Sequence, residues 1–192
     1  MSGSSFSAER TPCLGLTLIT ARVFADDRGF FYEAWREDAF RDLGVPGPFI
    51  QDNHSVSRLG VLRGLHWQGA PSPQGKLVRC TSGRVRDAVV DIRAGSPTFG
   101  RHDLVDLEGA RLLYVPPGYA HGFLALTGEA QVQYRVTAAW DRAAEGCLAF
   151  DDPELAIDWG FDGTPLVSAR DRAGMSFADY RGSPAFRFQE GA

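Results

Sequence analysis

The sequence predicts a mainly β fold, a sandwich or barrel with a few short helices. Short segments rich in Val, Leu, Phe, Thr and Tyr recur along the chain, separated by Gly, Pro, Asp and Ser. Their spacing of roughly 8–12 residues is typical of β-sandwiches and barrels. Several segments alternate polar and apolar residues, as half-buried strands do, and only two stretches favour a helix.

The predicted strands run from the N-terminal part of the chain to residue 136. They cover residues 16–24, 30–35, 76–81, 84–92, 102–107, 112–115, 122–126 and 130–136. One helix is predicted near residues 36–43, where Gly44 and Pro46 end it. A second is predicted near residues 168–180, with Ser168 as its N-cap and Asp171 in its first turn.

Length and composition limit the class of protein. The 192 residues suit one domain, which we place at 13–192 behind a flexible tail over the polar residues 1–12. A net charge of −4 makes a broad nucleic-acid-binding surface unexpected. No apolar run approaches the ~20 residues of a membrane span, and the start does not read as a signal peptide. We therefore expect a cytoplasmic protein whose three separated cysteines are free thiols.

Two residue types occur only once. Lys76 is the single lysine among 20 basic residues, and Asn53 is the single asparagine. A compositional bias towards arginine and alanine explains the rarity. A lysine or asparagine that persists under such a bias indicates a position where arginine or aspartate would not serve.

The segment from Gly60 to Gln68 combines Arg63, His66 and aromatic residues with two glycines, and Lys76 follows ten residues after the histidine. Two interpretations are equally open on the local pattern. One is a tight turn with a hydrogen-bonded histidine. The other is a pocket wall in which a neutral imidazole acts as a base and cations face an anion.

A second segment carries a Pro-x-Gly-x-x-His turn that ends at His121, and this is the second sequence mark of the cupin superfamily. The first cupin mark is only partly present. Gly60 and His66 fit it, but Gln68 stands where a second histidine is expected, and no glutamate occurs between Gln68 and Glu108. The chain therefore resembles a cupin that has lost its metal ligands.

Four further segments have ordinary interpretations when they are taken alone. Residues 26–33 read as a hairpin with a charged tip, 49–57 as a polar loop, 132–137 as a strand and 166–171 as a helix N-cap.

The segments become specific as a set. They read Asp-x-Arg-Gly-x-Phe-x-Glu, Gln-x-Asn-x-Ser-x-Ser, Leu-Arg-Gly-Leu-His-Trp-Gln, Val-Asp-Ile-Arg-x-Gly-Ser-Pro-Thr-Phe-Gly, Pro-Pro-Gly-x-x-His-Gly-Phe and Ser-x-x-Asp, with Lys76 and Tyr134 between them. The chain resembles the dTDP-4-dehydrorhamnose 3,5-epimerases over about residues 19–180. This resemblance implies a cupin-type jelly roll.

The resemblance also implies a reaction. The family inverts C3 and C5 of a dTDP-linked 4-keto-6-deoxy sugar by removing protons next to the C4 ketone. It implies His66 as the base, Asp171 as its dyad partner, Tyr134 as the acid and Lys76 as the cation facing the enolate oxygen. It implies neither a metal nor an organic cofactor, because the ketone is the electron sink.

Substrate binding and assembly are implied in the same way. Residues expected to contact the nucleotide, phosphates or sugar are Arg28, Phe31, Glu33, Gln51, Asn53, Arg63, His121, Trp140 and Arg170. The arm around residues 28–33 is expected to join the sheet of a second subunit, which would make a homodimer with partly shared sites.

Two positions depart from the common family pattern. Trp140 replaces a tyrosine, and Arg170 replaces a lysine. They leave open a mono-epimerase acting at C3 alone or C5 alone. Two more distant functions also stay open: a non-catalytic cupin that binds a sugar nucleotide, and a metal-dependent cupin oxygenase.

Overall fold

Strands account for most of the regular structure in a computed structural model that describes residues 5–190. The first half contains β1 (Phe6–Arg10), β2 (Thr17–Ala21), β3 (Phe24–Asp26), β4 (Gly29–Phe31), α1 (Glu37–Asp42), β5 (Gln51–Arg58), β6 (Val61–Gln68), β7 (Lys76–Ser82) and β8 (Arg84–Asp91). The second contains β9 (Arg93–Ala94), β10 (His102–Glu108), β11 (Arg111–Val115), β12 (Tyr119–Ala125), β13 (Glu129–Val136), β14 (Glu145–Cys147), β15 (Leu166–Val167), α2 (Ala169–Arg172), α3 (Phe177–Gly182) and β16 (Phe186–Arg187).

Two large sheets face each other. The first has the strand order β1-β2-β11-β7-β13-β5, and the second has the order β10-β8-β12-β6-β14, with β15 pairing parallel to β6. The main pairings are antiparallel. This arrangement confirms the predicted mainly β, cupin-type sandwich.

Strand β8 shows how the layers are built. Val85 and Val89 point into the apolar core between the two sheets. Ala88 and Val90 point the other way, into a second core formed with the C-terminal segment. Both faces of β8 are therefore buried, and this explains why its sequence drifts from alternation to continuous apolarity. A third core covers the outer face of the first sheet and includes Phe40 of α1.

The predicted flexible tail over residues 1–12 is wrong where the structure describes it. Residues 6–10 form β1, which pairs with β2, while residues 1–4 lie outside the described part of the chain. Phe6 is buried, and its ring meets that of Phe40 edge to face at 4.8 Å between centroids. The other four residues of β1 are exposed, so the strand shows only one apolar residue in its sequence.

Residues 51–58 and 61–68 form long strands, where the local pattern had favoured a loop and left a tight turn open. Several of the inward-facing positions are polar because they line a cavity, which removes the apolar alternation typical of strands; these residues are Gln51, Asn53, Ser55, Arg63 and His66. The predicted helix near 36–43 is present as α1. The predicted helix near 168–180 is divided into α2 and α3, and Ser168 caps α2 as expected. No helix within residues 5–190 is long and apolar enough to cross a membrane.

Tyr180 of α3 ties the C-terminal segment to the second sheet, and this contact predicts a stability change. Its buried hydroxyl donates to the Ile92 carbonyl at 2.7 Å and accepts from the Ala185 N–H at 3.1 Å. Tyr180→Phe leaves both groups without that partner, and we expect the free energy of unfolding to fall by about 1–3 kcal/mol. Urea unfolding measures the loss.

The matched control is Tyr32→Phe, which removes a longer hydrogen bond of 3.3 Å at an exposed hydroxyl. It should change stability by less than about 0.5 kcal/mol. Equal losses in the two variants would contradict the anchoring role of Tyr180.

Candidate active site

A cavity of about 690 Å³ opens between the two sheets. Strands β5, β7 and β13 form one wall, strands β6 and β12 form the other, and α2 closes one side. Its lining includes Gln51, Asn53, Ser55, Arg63, His66, Gln74, Lys76, His121, Tyr134, Trp140, Glu145, Arg170 and Asp171. The structure thus brings together ten of the thirteen side chains predicted from sequence.

An irregularity in β6 directs two of these side chains into the cavity. His66 pairs with His121 of β12, and Arg63 pairs with Phe123, so three residue steps on β6 match two on β12. In a regular strand, residues three apart point to opposite faces. The extra residue between them, at Gly64 and Leu65, turns both Arg63 and His66 towards the cavity, as β-bulges near active sites commonly do.

His66 and Asp171 form a close pair. His66 Nε2 lies 2.6 Å from Asp171 Oδ1, and the Asp171 side chain is only 5% exposed. Asp171 is fixed by α2, where its backbone N–H donates to the Ser168 hydroxyl, and its Oδ2 accepts from the Gly64 N–H at 3.3 Å. Burial raises the pKa of Asp171, but the interaction with His66 and the hydrogen bond from Gly64 outweigh burial and hold this pKa below its usual value.

Because Nε2 is engaged, Nδ1 is the His66 nitrogen left for a substrate. An imidazole held by a buried carboxylate has a fixed tautomer, and the carboxylate stabilises the imidazolium that forms when the ring takes a proton. This is the arrangement of a general base.

Lys76 is buried at the start of β7, and its Nζ donates to the His66 carbonyl oxygen at 3.1 Å. Burial lowers the pKa of Lys76 to about 8, while the carboxylates of Glu145 and Asp87 act in the opposite direction. The ammonium therefore keeps its charge near neutral pH and still has donors to offer to the cavity.

Tyr134 approaches the cavity from the sheet opposite to that of His66. It lies on β13 between Asn53 of β5 and Val78 of β7. Burial raises the pKa of Tyr134, as does the nearby Glu145 carboxylate. Its hydroxyl therefore stays protonated over the ordinary pH range and can serve as an acid.

His121 belongs to a second histidine–carboxylate pair. Its Nε2 lies 2.9 Å from Asp87 Oδ2, and both side chains are buried. Gln68, at the position where a cupin would carry a second histidine, has a structural role. Its amide donates to the carbonyls of Ser72 and Ala139 and accepts from the Asp141 N–H, which fixes the loop bearing Trp140.

Glu145 contacts both Trp140 and Arg170, the two residues that depart from the family pattern, at the mouth of the cavity. One of its carboxylate oxygens accepts from Trp140 Nε1 at 2.7 Å and pairs with the Arg170 guanidinium at 2.6 Å. The Trp140 backbone N–H donates to the Gln51 side chain, which in turn donates to Asn53. No signal in the sequence indicated Glu145, because it begins the three-residue strand β14 directly after a polar stretch without a recognisable pattern.

Three predicted residues lie outside the cavity of this chain, on or just after the β3–β4 hairpin. Arg28 is 90% exposed and pairs with Asp26 at 2.6 Å. Phe31 is 69% exposed, and Glu33 pairs with Arg36.

Comparisons with known proteins show the family of the chain. The dTDP-4-dehydrorhamnose 3,5-epimerase family model matches residues 10–179. The chain belongs to this family. An enzyme of that name from Pseudomonas aeruginosa is 47% identical over 175 residues, which are 90% of this chain and 96% of the relative.

Solved structures of family members superpose closely. An epimerase from Legionella pneumophila in complex with dTDP-4-keto-L-rhamnose has a TM-score of 0.91 at 38% identity, covering 96% of this chain and 99% of that one. A 3′-monoepimerase from Streptomyces bikiniensis in complex with dTDP-quinovose has a TM-score of 0.86 at 33% identity, covering 91% and 89%. The family predicted from sequence is confirmed, and these matches favour the epimerase over the binding module and the oxygenase.

Proposed function

We propose that this chain is an isomerase that inverts C3 and C5 of dTDP-4-dehydro-6-deoxy-D-glucose to give dTDP-4-dehydro-L-rhamnose. The observation that carries the proposal is the meeting of four groups in one cavity. These are the His66–Asp171 pair, the buried ammonium of Lys76 and the protonated hydroxyl of Tyr134. A base, an acid and a cation are the groups that exchange of a proton next to a ketone requires.

In the first step of the reaction, His66 acts as the base. Nδ1 takes the proton from the carbon beside the ketone, the C–H electron pair forms a C=C bond, and the carbonyl pair moves to the C4 oxygen. Asp171 stabilises the imidazolium through Nε2, at the 2.6 Å distance seen here.

Lys76 is assigned the role of stabilising the negative charge that develops on the C4 oxygen. Its compact ammonium acts as a point charge, which suits a single oxygen better than the planar fork of an arginine. A buried cation is most effective because the surroundings screen it poorly.

Tyr134 completes the inversion by donating its proton to the opposite face of the carbon. It lies on the facing sheet, which suits delivery from a different side than His66. The phenolate regains its proton from solvent, and His66 releases its own, so the site is restored after each inversion. Because C3 and C5 flank the same ketone, the same groups serve both carbons.

The nucleotide half of the substrate is assigned to the cavity mouth. Gln51, Asn53 and the exposed ring of Trp140 lie together there, with Arg63 and Arg170 as cations for the phosphates or sugar. Charge-assisted arginine–phosphate contacts would supply much of the binding. His121 lines the inner wall.

The remaining contacts are assigned to a second copy of the chain. The β3–β4 hairpin exposes Phe30 and Phe31, at 70% and 69%, and carries Arg28 away from its own cavity. Exposed aromatic rings of this kind are typical of an interaction surface. We therefore propose a homodimer in which this arm enters the partner's site. The cytoplasmic location stays a prediction.

A mono-epimerase remains the second candidate, because one superposed relative is a 3′-monoepimerase and Trp140 departs from the common pattern. Turnover in D₂O separates the two. The main proposal expects solvent deuterium at both C3 and C5, and incorporation at a single carbon would replace it with the second candidate. Binding of dTDP without any exchange would contradict both.

His66→Ala is expected to lower the exchange rate by about 10²–10⁴-fold, because it removes the base. His102→Ala, on β10 and outside the cavity, is the matched control and should keep the rate. Circular dichroism checks that both variants fold. Full exchange in folded His66→Ala would remove the assignment of the base.

The lowered pKa of Lys76 predicts that kcat/KM depends on pH. A lysine loses its charge as pH rises through its pKa, so kcat/KM should fall above about pH 8. Lys76→Arg stays charged far beyond that pH, so this alkaline fall should disappear. The rate should also drop at least about tenfold, because the charge has a different shape. An unchanged alkaline fall in Lys76→Arg would assign it to another group.

The exchanged arm predicts complementation between two inactive variants. Arg28→Ala lacks the arm's cation and His66→Ala lacks the base, and each should be nearly inactive alone. If the arm acts in the partner's site, a mixed dimer holds one intact site. Random remixing should then restore about a quarter of wild-type activity. Sites built within one chain would restore none, and a monomeric mass in solution would also contradict the proposal.

A further inference from the structure

Cys147 is a side chain that the proposed reaction does not use. It lies on β14 and pairs directly with His66 of β6, so the two side chains occupy the same face of the sheet. A ring nitrogen of His66, Cys147 Sγ and a carboxylate oxygen of Asp171 all lie within 4.8 Å of one another. The thiol is half-buried and is not part of a disulfide.

Nitrogen, sulfur and oxygen from these three residue types match the ligands of zinc and related ions. With bonds of about 2.0–2.3 Å, tetrahedral ligands lie about 3.3–3.8 Å apart. The His66–Asp171 contact of 2.6 Å would have to widen, and the sulfur would have to approach by about 1 Å. Rotations of side chains can supply shifts of this size.

We propose that His66, Cys147 and Asp171 form a three-ligand site for a thiophilic divalent cation of the zinc type, with the fourth position open to the cavity. The thiol gives up its proton to solvent on binding. The thiolate and the Asp171 carboxylate then balance the two positive charges of the ion.

The surroundings admit such an ion. Besides Asp171, the charged groups that act on the thiol are Arg170 and Glu145, and their charges largely cancel because they are paired with each other at 2.6 Å. The site differs from the metal position that the cupin marks would suggest, because Gln68 is engaged with backbone groups and His121 is paired with Asp87.

Binding would also stop the reaction, and this part rests on the proposed function. An ion that draws His66 and Asp171 out of their mutual contact removes the base that the epimerase needs. A zinc-type ion would therefore be an inhibitor of this chain.

Titration of the purified protein with Co²⁺ tests binding independently of activity. Wild type should show the thiolate-to-cobalt charge-transfer absorption. Cys147→Ser should lose it, and Cys13→Ser, a second half-buried free cysteine, should keep it. Zinc affinity, measured by isothermal titration calorimetry, should fall at least about tenfold in Cys147→Ser. Absence of the absorption in wild type, or its loss only in Cys13→Ser, would overturn the proposal.

Zn²⁺ in the deuterium-exchange assay tests the consequence. Exchange by the wild type should fall as zinc fills the site. Each variant is compared with its own rate without zinc. Cys147→Ser should need at least about tenfold more zinc than the wild type for the same fractional loss of rate. Equal sensitivity of the two proteins would overturn the inhibitory role. Because cobalt absorption does not depend on exchange, failure of the proposed epimerase activity and failure of the metal site are distinguishable.

Discussion

The close approach of β6 and β12 at two glycines is the constraint on which the site depends. Gly64 has a φ of +129°, and a Cβ built on it would lie 2.5 Å from the Cα of Gly122. No larger residue fits there without moving one strand. This contact permits the irregular step in β6 that places Arg63 and His66 on the same face. It also leaves the Gly64 N–H within reach of Asp171, so one backbone feature positions the proposed base, His66, and holds Asp171 beside it.

Charges in the cavity are distributed so that its buried cation stays available. The three carboxylates of Asp171, Asp87 and Glu145 contact His66, His121 and Arg170 respectively. Lys76, by contrast, donates to a backbone carbonyl, which does not neutralise its charge. A new negative charge on a bound ketone would therefore meet an ammonium that is held in place but not already neutralised by a carboxylate in contact. This gives a physical reason for the single lysine in an arginine-rich chain.

Much of the sandwich was predictable, because strands buried on one or both faces carry apolar residues at regular positions. β8 is such a strand, and β5 is not: its inner residues face the cavity and are polar, so local reasoning gave a loop. β1 was missed for a related reason, since only Phe6 is buried. The pairing of His66 with Asp171 spans 105 residues. Spacing could not reveal it, and only the resemblance to a family indicated it. Glu145 carried neither kind of signal.

Residues near Glu145 show how packing on one face of a strand determines chemistry on the other. Gly146 of β14 lies against Trp67, and a Cβ on it would be 2.1 Å from the indole ring. That ring is itself fixed edge to face against Tyr180, at 5.2 Å between centroids. A slip of β14 by one residue would press Glu145 or Cys147 into the indole and turn the strand's side chains to the other face. The glycine–tryptophan contact therefore sets the register that keeps Glu145 at the cavity mouth and Cys147 beside the histidine–aspartate pair.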